Sequence, residues 1–332
     1  MQQILEKLYD QQSLSIEESQ QLFDQIIKGE VDPIVLSAAL TALKIKGETP
    51  QEIAGAAKAL LANAQPFPRP DYDFADIVGT GGDGSNTFNI STTSAFVAAA
   101  VGLKVAKHGN RGVSSKSGSS DLLDSFGINL AMSAEDTAKA VDDIGVAFLF
   151  APQYHQGVKH AMPVRQTLKT RTIFNILGPL INPARPNIEL MGVYDESLVA
   201  PIAETMLQMN MKRAAVVHGS GLDEVAIHGS TTVAEIKDGK IEHYSLTAED
   251  FGLETYPLEA LKGGTPDENR AIVTNLLSGK GTPAQEAAVA ANVALLMRLF
   301  GHEDLKANAQ QAIDAMRSGK AMTLVEQLAA RG

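Results

Sequence analysis

The sequence has 332 residues, a length that suggests about two domains and room for a sizeable core. Hydrophobic residues make up 44% and charged residues 20%, with no cysteine, which sets the chain among globular proteins and removes disulfide scaffolds, thiolate zinc sites, iron–sulfur clusters and a catalytic thiol. Lysine plus arginine is 28 against 39 acidic residues, a net charge of −11, so the chain is a poor global match for nucleic acid and any bound anion must be gripped locally.

The first residues, Met1-Gln2-Gln3-Ile4-Leu5-Glu6-Lys7, do not combine a basic segment with an apolar one, as a secretory signal would. The longest apolar run, Ala95 to Leu103, falls well short of the roughly 20 residues needed to span a bilayer. A cytoplasmic protein with no membrane partner is expected. Helices account for the start of the chain. Ser15 and Glu18 form a capping box ahead of Leu22, Phe23, Ile26 and Ile27, with Gly29 as the stop. Asp32-Pro33 opens a second helix that ends near Gly47, and Thr49-Pro50-Gln51-Glu52 opens a third. Gln65-Pro66-Phe67-Pro68-Arg69-Pro70 cannot be helical and marks a domain boundary.

Beyond it the pattern changes. Asp76 to Val78 is a strand, Thr92 to Leu103 a helix, Lys104 to Lys107 a strand, Asp121 to Phe126 and Ala134 to Ile144 helices, and Val146 to Phe150 a strand. Glu189 to Tyr194, Leu198 to Met209 and Arg213 to His218 read as strand, helix and strand. Thr232 to Ile236 and Lys240 to Tyr244, turned by Asp238-Gly239, form a hairpin. Pro283 to Phe300 is the clearest helix of the C-terminal part. Between them, residues 153–186 carry five prolines within or beside them and the bases Lys159, Arg165, Lys169, Arg171 and Arg185, a helical excursion that could pack back on the N-terminal helices. The expected fold class is α/β: a small helical N-terminal domain (1–68, joined by the excursion) plus a larger α/β domain (69–332) with a mostly parallel mixed central sheet.

Three loops carry the chemistry. Gly79-Thr80-Gly81-Gly82-Asp83-Gly84 follows a strand and leads into a helix start at Ser91-Thr92. Four glycines in six residues let the backbone approach a ligand, and a helix start favours phosphate. The dinucleotide and Walker spacings are both absent. Lys107-His108-Gly109-Asn110-Arg111-Gly112-Val113-Ser114-Ser115 begins at the end of the next strand, where ligands of open α/β sheets gather. The number of donors on these two loops suits a sugar polyphosphate better than a lone phosphate. Asp223-Glu224, after His218-Gly219-Ser220-Gly221, offers hard oxygen ligands of the kind Mg²⁺ takes beside substrate phosphates. Taken alone, that dipeptide would be an exposed acidic pair. Arg165 and Arg171 could each fork onto a carboxylate, though surface roles are as good a reading for Arg165 and a better one for Arg171.

These motifs, with Asn86-Thr87-Phe88-Asn89-Ile90-Ser91-Thr92 and with Arg171-Thr172-Ile173-Phe174-Asn175 leading to Leu177-Gly178-Pro179-Leu180, resemble the anthranilate phosphoribosyltransferases over essentially the full chain. The resemblance implies Mg²⁺-dependent transfer of the phosphoribosyl group of phosphoribosyl pyrophosphate (PRPP) to the amino group of anthranilate, in tryptophan biosynthesis. It implies PRPP contacts at Gly79, Gly82, Asp83, Thr87, Asn89, Ile90, Ser91, Thr92, Lys107, His108, Gly109, Asn110, Arg111, Gly112, Val113, Ser114, Ser115 and Ser119. Anthranilate would meet Gly79, Asn110 and Arg165, and Ser91, Asp223 and Glu224 would hold Mg²⁺, expected as two ions. Lys107, Asp223 and Glu224 would carry the catalytic charge, and a homodimer would form through the helical parts. Ser120 and Ile181 depart from the residues usual in the family at positions without an assigned role.

Two other readings compete. A pyrimidine nucleoside phosphorylase would share the first loop but leave Asp223-Glu224 idle. A nucleic-acid binder using the basic excursion would have to overcome the net charge of −11 and would have no need of the carboxylate pair.

Overall fold

The computed structural model describes residues 1–112 and 116–331. Four helices open the chain: α1 (Gln2–Tyr9), α2 (Ile16–Lys28), α3 (Pro33–Lys46) and α4 (Pro50–Ala62). The last three start where the caps predict. The Glu18 amide donates to Ser15 Oγ at 3.2 Å, and the Glu18 carboxylate accepts from the Ser15 amide at 2.9 Å. Gly29 then takes the left-handed conformation, φ 74°, that ends α2. Helix α1 has no side-chain cap at Met1, so nothing local marks its start.

After the irregular proline-rich segment come β1 (Ala75–Gly79), α5 (Ile90–Ala100), β2 (Val105–Gly109), α6 (Ser119–Ser125), α7 (Ala134–Ile144) and β3 (Val146–Phe150). The excursion holds α8 (Ala151–Tyr154), a 3₁₀ turn over Gln156–His160, α9 (Met162–Leu168) and α10 (Phe174–Leu180). The chain continues through β4 (Ile188–Gly192), α11 (Val199–Gln208), β5 (Arg213–Gly219) and the hairpin β6 (Thr231–Lys237) and β7 (Lys240–Leu246). It finishes with α12 (Pro266–Leu277), α13 (Pro283–Leu299), α14 (Leu305–Arg317) and α15 (Lys320–Ala329). Among the described residues, no helix is long and apolar enough to cross a membrane.

One seven-stranded sheet runs in the order β3-β2-β1-β4-β5-β6-β7. The first five strands by number are parallel, and the hairpin adds two antiparallel strands. The expected mostly parallel mixed sheet is therefore present. Its order reverses between β1 and β4. The crevice outside the carboxyl ends at such a reversal is where open sheets bind ligands, and the loops after β1, β2 and β5 all leave the sheet on that side.

Two apolar clusters cover the sheet. The larger joins α5, α7 and α12–α15 to one face through Phe74, Phe88, Phe96 and Phe251. The other joins the N-terminal helices, α9–α11 and the strands, running from Leu22, Phe23 and Leu40 through Phe174 and Met206 to Met191 and Val216. The excursion thus stitches the helices to the sheet, with Phe23 and Phe174 in ring contact at 5.8 Å.

Glu52 locks the helical part. Its carboxylate is fully buried, accepts the Leu14 amide at 2.9 Å and the Thr49 amide at 2.8 Å, and pairs with Lys46 at 2.8 Å. Removing one partner of such a pair leaves a buried charge and buried N–H groups unmatched. Glu52→Ala is expected to lower the unfolding free energy by about 3 kcal/mol or more, read by urea denaturation. A loss near zero would show that the buried pair carries no stability.

Candidate active site

The site is built around Asp223. The glycine loop leaves β1 at Gly79, and the Gly81 amide donates to Asp223 Oδ2 at 2.6 Å. A Cβ on Gly79 would lie 2.2 Å from the same oxygen, and a Cβ on Gly192, at the end of β4, would lie 1.6 Å from the Asp223 carbonyl oxygen. At Gly192 a Cβ would overlap the main chain of the loop after β5, so that strand end must be glycine for the loop to seat; at Gly79 a Cβ would push the Asp223 carboxylate aside. That loop is fixed from below. His218 Nδ1–H donates to Val193 O at 2.8 Å, which leaves Nε2 to accept the Gly221 amide at 3.1 Å. Asn292 of α13 accepts the Val225 amide at 3.0 Å.

Glu224 Oε1 accepts the Ser91 amide at 3.0 Å, in the first turn of α5. Asn89, which precedes that helix, does not cap it with its side chain. Asp83 takes the Ser85 amide and hydroxyl at 3.0 Å and 2.9 Å and approaches the Asp223 amide at 3.4 Å. Enclosure, then the neighbouring Asp83, pushes the Asp223 carboxyl up to about 7. Enclosure, then Asp223, raises Glu224 well above the usual carboxylate range, and Lys107 opposes that rise.

Lys107 is 3% exposed and lies within β2, its Nζ donating to Ile77 O at 2.5 Å. Burial lowers its pKa while Asp76, Glu224, Asp223 and Glu189 hold it up. The lysine expected at a strand end is thus a sealed charge beneath the loops. His108 is also buried in β2, its Nδ1 3.1 Å from Gly178 O of α10, and burial followed by the His155 ring pushes it down to about 3.

The second loop meets the first. Asn89 Nδ2 donates to Ser117 O at 3.1 Å. Asn110 Oδ1 accepts the Arg111 amide, and Asn110 O accepts from Ser119 Oγ at 3.2 Å. Arg111 is half exposed and paired with Asp121 at 3.0 Å, and the Gly112 amide donates to the same carboxylate. Thr87 bridges Lys262, while Ile90 and Thr92 are buried in α5. Val113, Ser114 and Ser115 lie outside the described residues.

Arg165 stands apart. Its guanidinium lies 5.1 Å from the Phe174 ring centre, and burial lowers its pKa. No hydrogen bond or ion pair among the described residues joins it to Gly79 or Asn110. Arg171 does reach the glycine loop: it donates to Gly82 O and stacks on Tyr194 at 3.9 Å. It is exposed, as expected of a surface or structural arginine, and this contact gives it a structural part. Gly192 and Asn292 escaped the reading, because neither belongs to a recognisable motif.

With this geometry in place, the comparisons are decisive. Residues 2–64 match the glycosyl transferase family helical bundle domain, and 71–322 match the glycosyl transferase family a/b domain. The anthranilate phosphoribosyltransferase of Vibrio parahaemolyticus is 84% identical over 330 residues, 99% of each chain.

The chain belongs to the anthranilate phosphoribosyltransferase family.

The crystal structure of the family's enzyme from Thermus thermophilus superposes with a TM-score of 0.94 at 40% identity, covering 99% of this chain and 98% of that one. The anthranilate phosphoribosyltransferase of Saccharomyces cerevisiae, in complex with PRPP and Mg, superposes at 0.91 with 31% identity, covering 99% and 96%. Asp223 is the member of this site whose seating is most easily disturbed. Gly79→Ala is expected to lower kcat/KM about 100-fold by displacing that carboxylate, with little change in thermal stability. An alanine variant within about twofold of wild type would show that Asp223 tolerates displacement.

Proposed function

We infer that the chain works as an anthranilate phosphoribosyltransferase, joining the ribosyl C1 of PRPP to the amino nitrogen of anthranilate and releasing pyrophosphate. The observation that carries this reading is the convergence of both glycine loops and Asp223-Glu224 at one sheet rim, in a protein of net charge −11. An acidic chain grips a polyanion through backbone amides, a helix start and a metal.

The carboxylates fit Mg²⁺. Asp83, Asp223 and Glu224 crowd together; enclosure first, and then the neighbouring carboxylates, raise Asp223 and Glu224 above the usual carboxylate range, a strain that a bound cation would relieve. Among the described residues, no three acidic or histidine side chains form a closed metal cage. That suits an ion that keeps water and substrate oxygens in its shell. Ser91, Asp223 and Glu224 would hold the metal, as two ions. Bound Mg²⁺ would supply positive charge to the departing pyrophosphate.

The chain's own residues do the rest. Gly79, Gly82, Asp83, Thr87, Asn89 to Thr92, Lys107 to Ser115 and Ser119 form the PRPP side, and Lys107 contributes a fixed charge from beneath Asp223 and Glu224. Gly79, Asn110 and Arg165 form the anthranilate side, where the guanidinium would meet the carboxylate. The C1–O bond breaks with its electron pair going to pyrophosphate. The C1–N bond forms from the nitrogen lone pair, and the proton leaves nitrogen afterwards. An aromatic amine attacks without prior deprotonation, so alignment does most of the work.

A homodimer through the helical parts is supported by an apolar groove of about 800 Å³ lined by Tyr9, Ile34, Ile45, Pro163 and Val164. Ile34 and Ile45 are 81% and 72% exposed on it, which is costly in a monomer. The biosynthetic chemistry supports a cytoplasmic enzyme.

Loss of anthranilate fluorescence with PRPP and Mg²⁺, set against thymidine plus phosphate, tests the activity. Protons compete with metal for carboxylates, so the Mg²⁺ concentration for half-maximal rate is expected to rise as pH falls through about 7. A pH-independent metal requirement would remove Asp223 from the ligands. Arg165→Ala is expected to raise the KM for anthranilate far more than that for PRPP, and equal effects would contradict its placement.

A further inference from the structure

Asn269 lies near the start of α12, outside every motif of the site, and is 1% exposed. Its Oδ1 accepts the Gly264 amide at 2.7 Å, and its Nδ2 donates to Asn89 Oδ1 at 2.8 Å. A backbone amide can only donate, so Gly264 fixes which end of the Asn269 side chain carries oxygen. The nitrogen must then face Asn89. Asn89 in turn presents its oxygen to Asn269, with Ser117 Oγ donating to the same oxygen at 3.4 Å, and its nitrogen to Ser117 O at 3.1 Å. Main-chain groups at the two ends, the Gly264 N–H and the Ser117 carbonyl, thus fix two side-chain amides in series.

The relay has a firm base. The Phe88 amide donates to Leu261 O at 3.0 Å, and the Gly263 amide donates to Asn86 O at 2.9 Å, strapping the segment before α12 to the glycine loop. A Cβ on Gly263 would lie 2.6 Å from Asn269 Oδ1 and 2.7 Å from the Phe88 backbone nitrogen. The strap therefore sits at main-chain contact distance and has little room to slide.

We propose that Asn269 is a positioning residue for the PRPP site: it holds the orientation of the Asn89 amide and, through Asn89, the seating of Ser117 against the start of α5. It does so without touching substrate. The inference rests on the reading of Asn89 as a PRPP contact.

Asn269→Asp is the discriminating variant, because it keeps the acceptor for Gly264 and sets a carboxylate oxygen, in place of the donor, against Asn89 Oδ1. The KM for PRPP is expected to rise about tenfold, while the KM for anthranilate at saturating PRPP stays within about twofold. In an Asn89→Ala background the same substitution should add nothing, since its effect passes through that amide. A full, additive penalty in that background, or an unchanged KM for PRPP in the single variant, would overturn the proposal. Asn89→Ala alone leaving the KM for PRPP unchanged would instead remove the reading of Asn89, and the inference with it. If the buried carboxylate prevents folding, Asn269→Ala run through the same cycle gives the same decision: coupling supports the relay and additivity overturns it.

Discussion

Two strand ends close on one aspartate. Asp223 occupies space that any side chain at Gly79 or Gly192 would fill, and it takes the Gly81 amide at 2.6 Å. This constraint comes before electrostatics. A carboxylate can stand beneath the glycine loop only because two adjacent parallel strands, paired in register at Gly79 and Gly192, both end in residues without a Cβ. The glycines of the first loop are therefore not all there for turning. Gly81, Gly82 and Gly84 have φ values between 68° and 79°, where only glycine is comfortable. Gly79 is needed instead because of what lies against it.

That arrangement produces a deliberate excess of negative charge. Asp76 and Glu189 face each other across β1 and β4, and burial raises both carboxyls above the usual range. Asp83, Asp223 and Glu224 stand at the rim above them. The charge facing this group from within is Lys107, which is sealed and bonded to Ile77 O. Arg111, on the neighbouring loop, is already paired with Asp121. The structure therefore does not meet a polyanion with a field of free cations. It offers amides, hydroxyls and carboxylates, a donor set that becomes attractive to diphosphate once a divalent ion is shared between them. An overall charge of −11 is compatible with binding a polyanion for this reason.

Local signals made much of the architecture legible. Capping boxes at Ser15 and Thr49, Pro33 at a helix start and the Asp238-Gly239 turn are short-range chemistry, and α2, α3, α4 and the β6–β7 hairpin begin and end by it. Helix α1, lacking a cap, gave no such sign. In the site, the motif residues could be named because glycine, serine and acid clusters are unusual along a chain. Gly192, Asn269 and Asn292 could not. Each acts on a residue at least 31 positions away, and a single asparagine or glycine has no pattern of its own. Lys107 shows the reverse case: expected at a strand end with its charge on PRPP, it sits inside β2 with its side chain turned under β1 onto Ile77 O.

The excursion between β3 and β4 gives these contacts a mechanical meaning. It shares one apolar cluster with the N-terminal helices and with the strands β4 and β5, so it belongs to both halves. From it, Arg171 reaches Gly82 O, while Lys44 of α3 holds the Arg171 carbonyl at 2.9 Å. From it too, Gly178 O accepts His108 of β2. Because His108 is buried and held neutral, with a pKa near 3, its ring must donate to that carbonyl through Nδ1, and that contact has no charge to lose across the physiological range. The Arg171 contact is exposed and made to Gly82, within the glycine loop. The excursion therefore ties the helical half both to the strand end at His108 and to the glycine loop at Gly82.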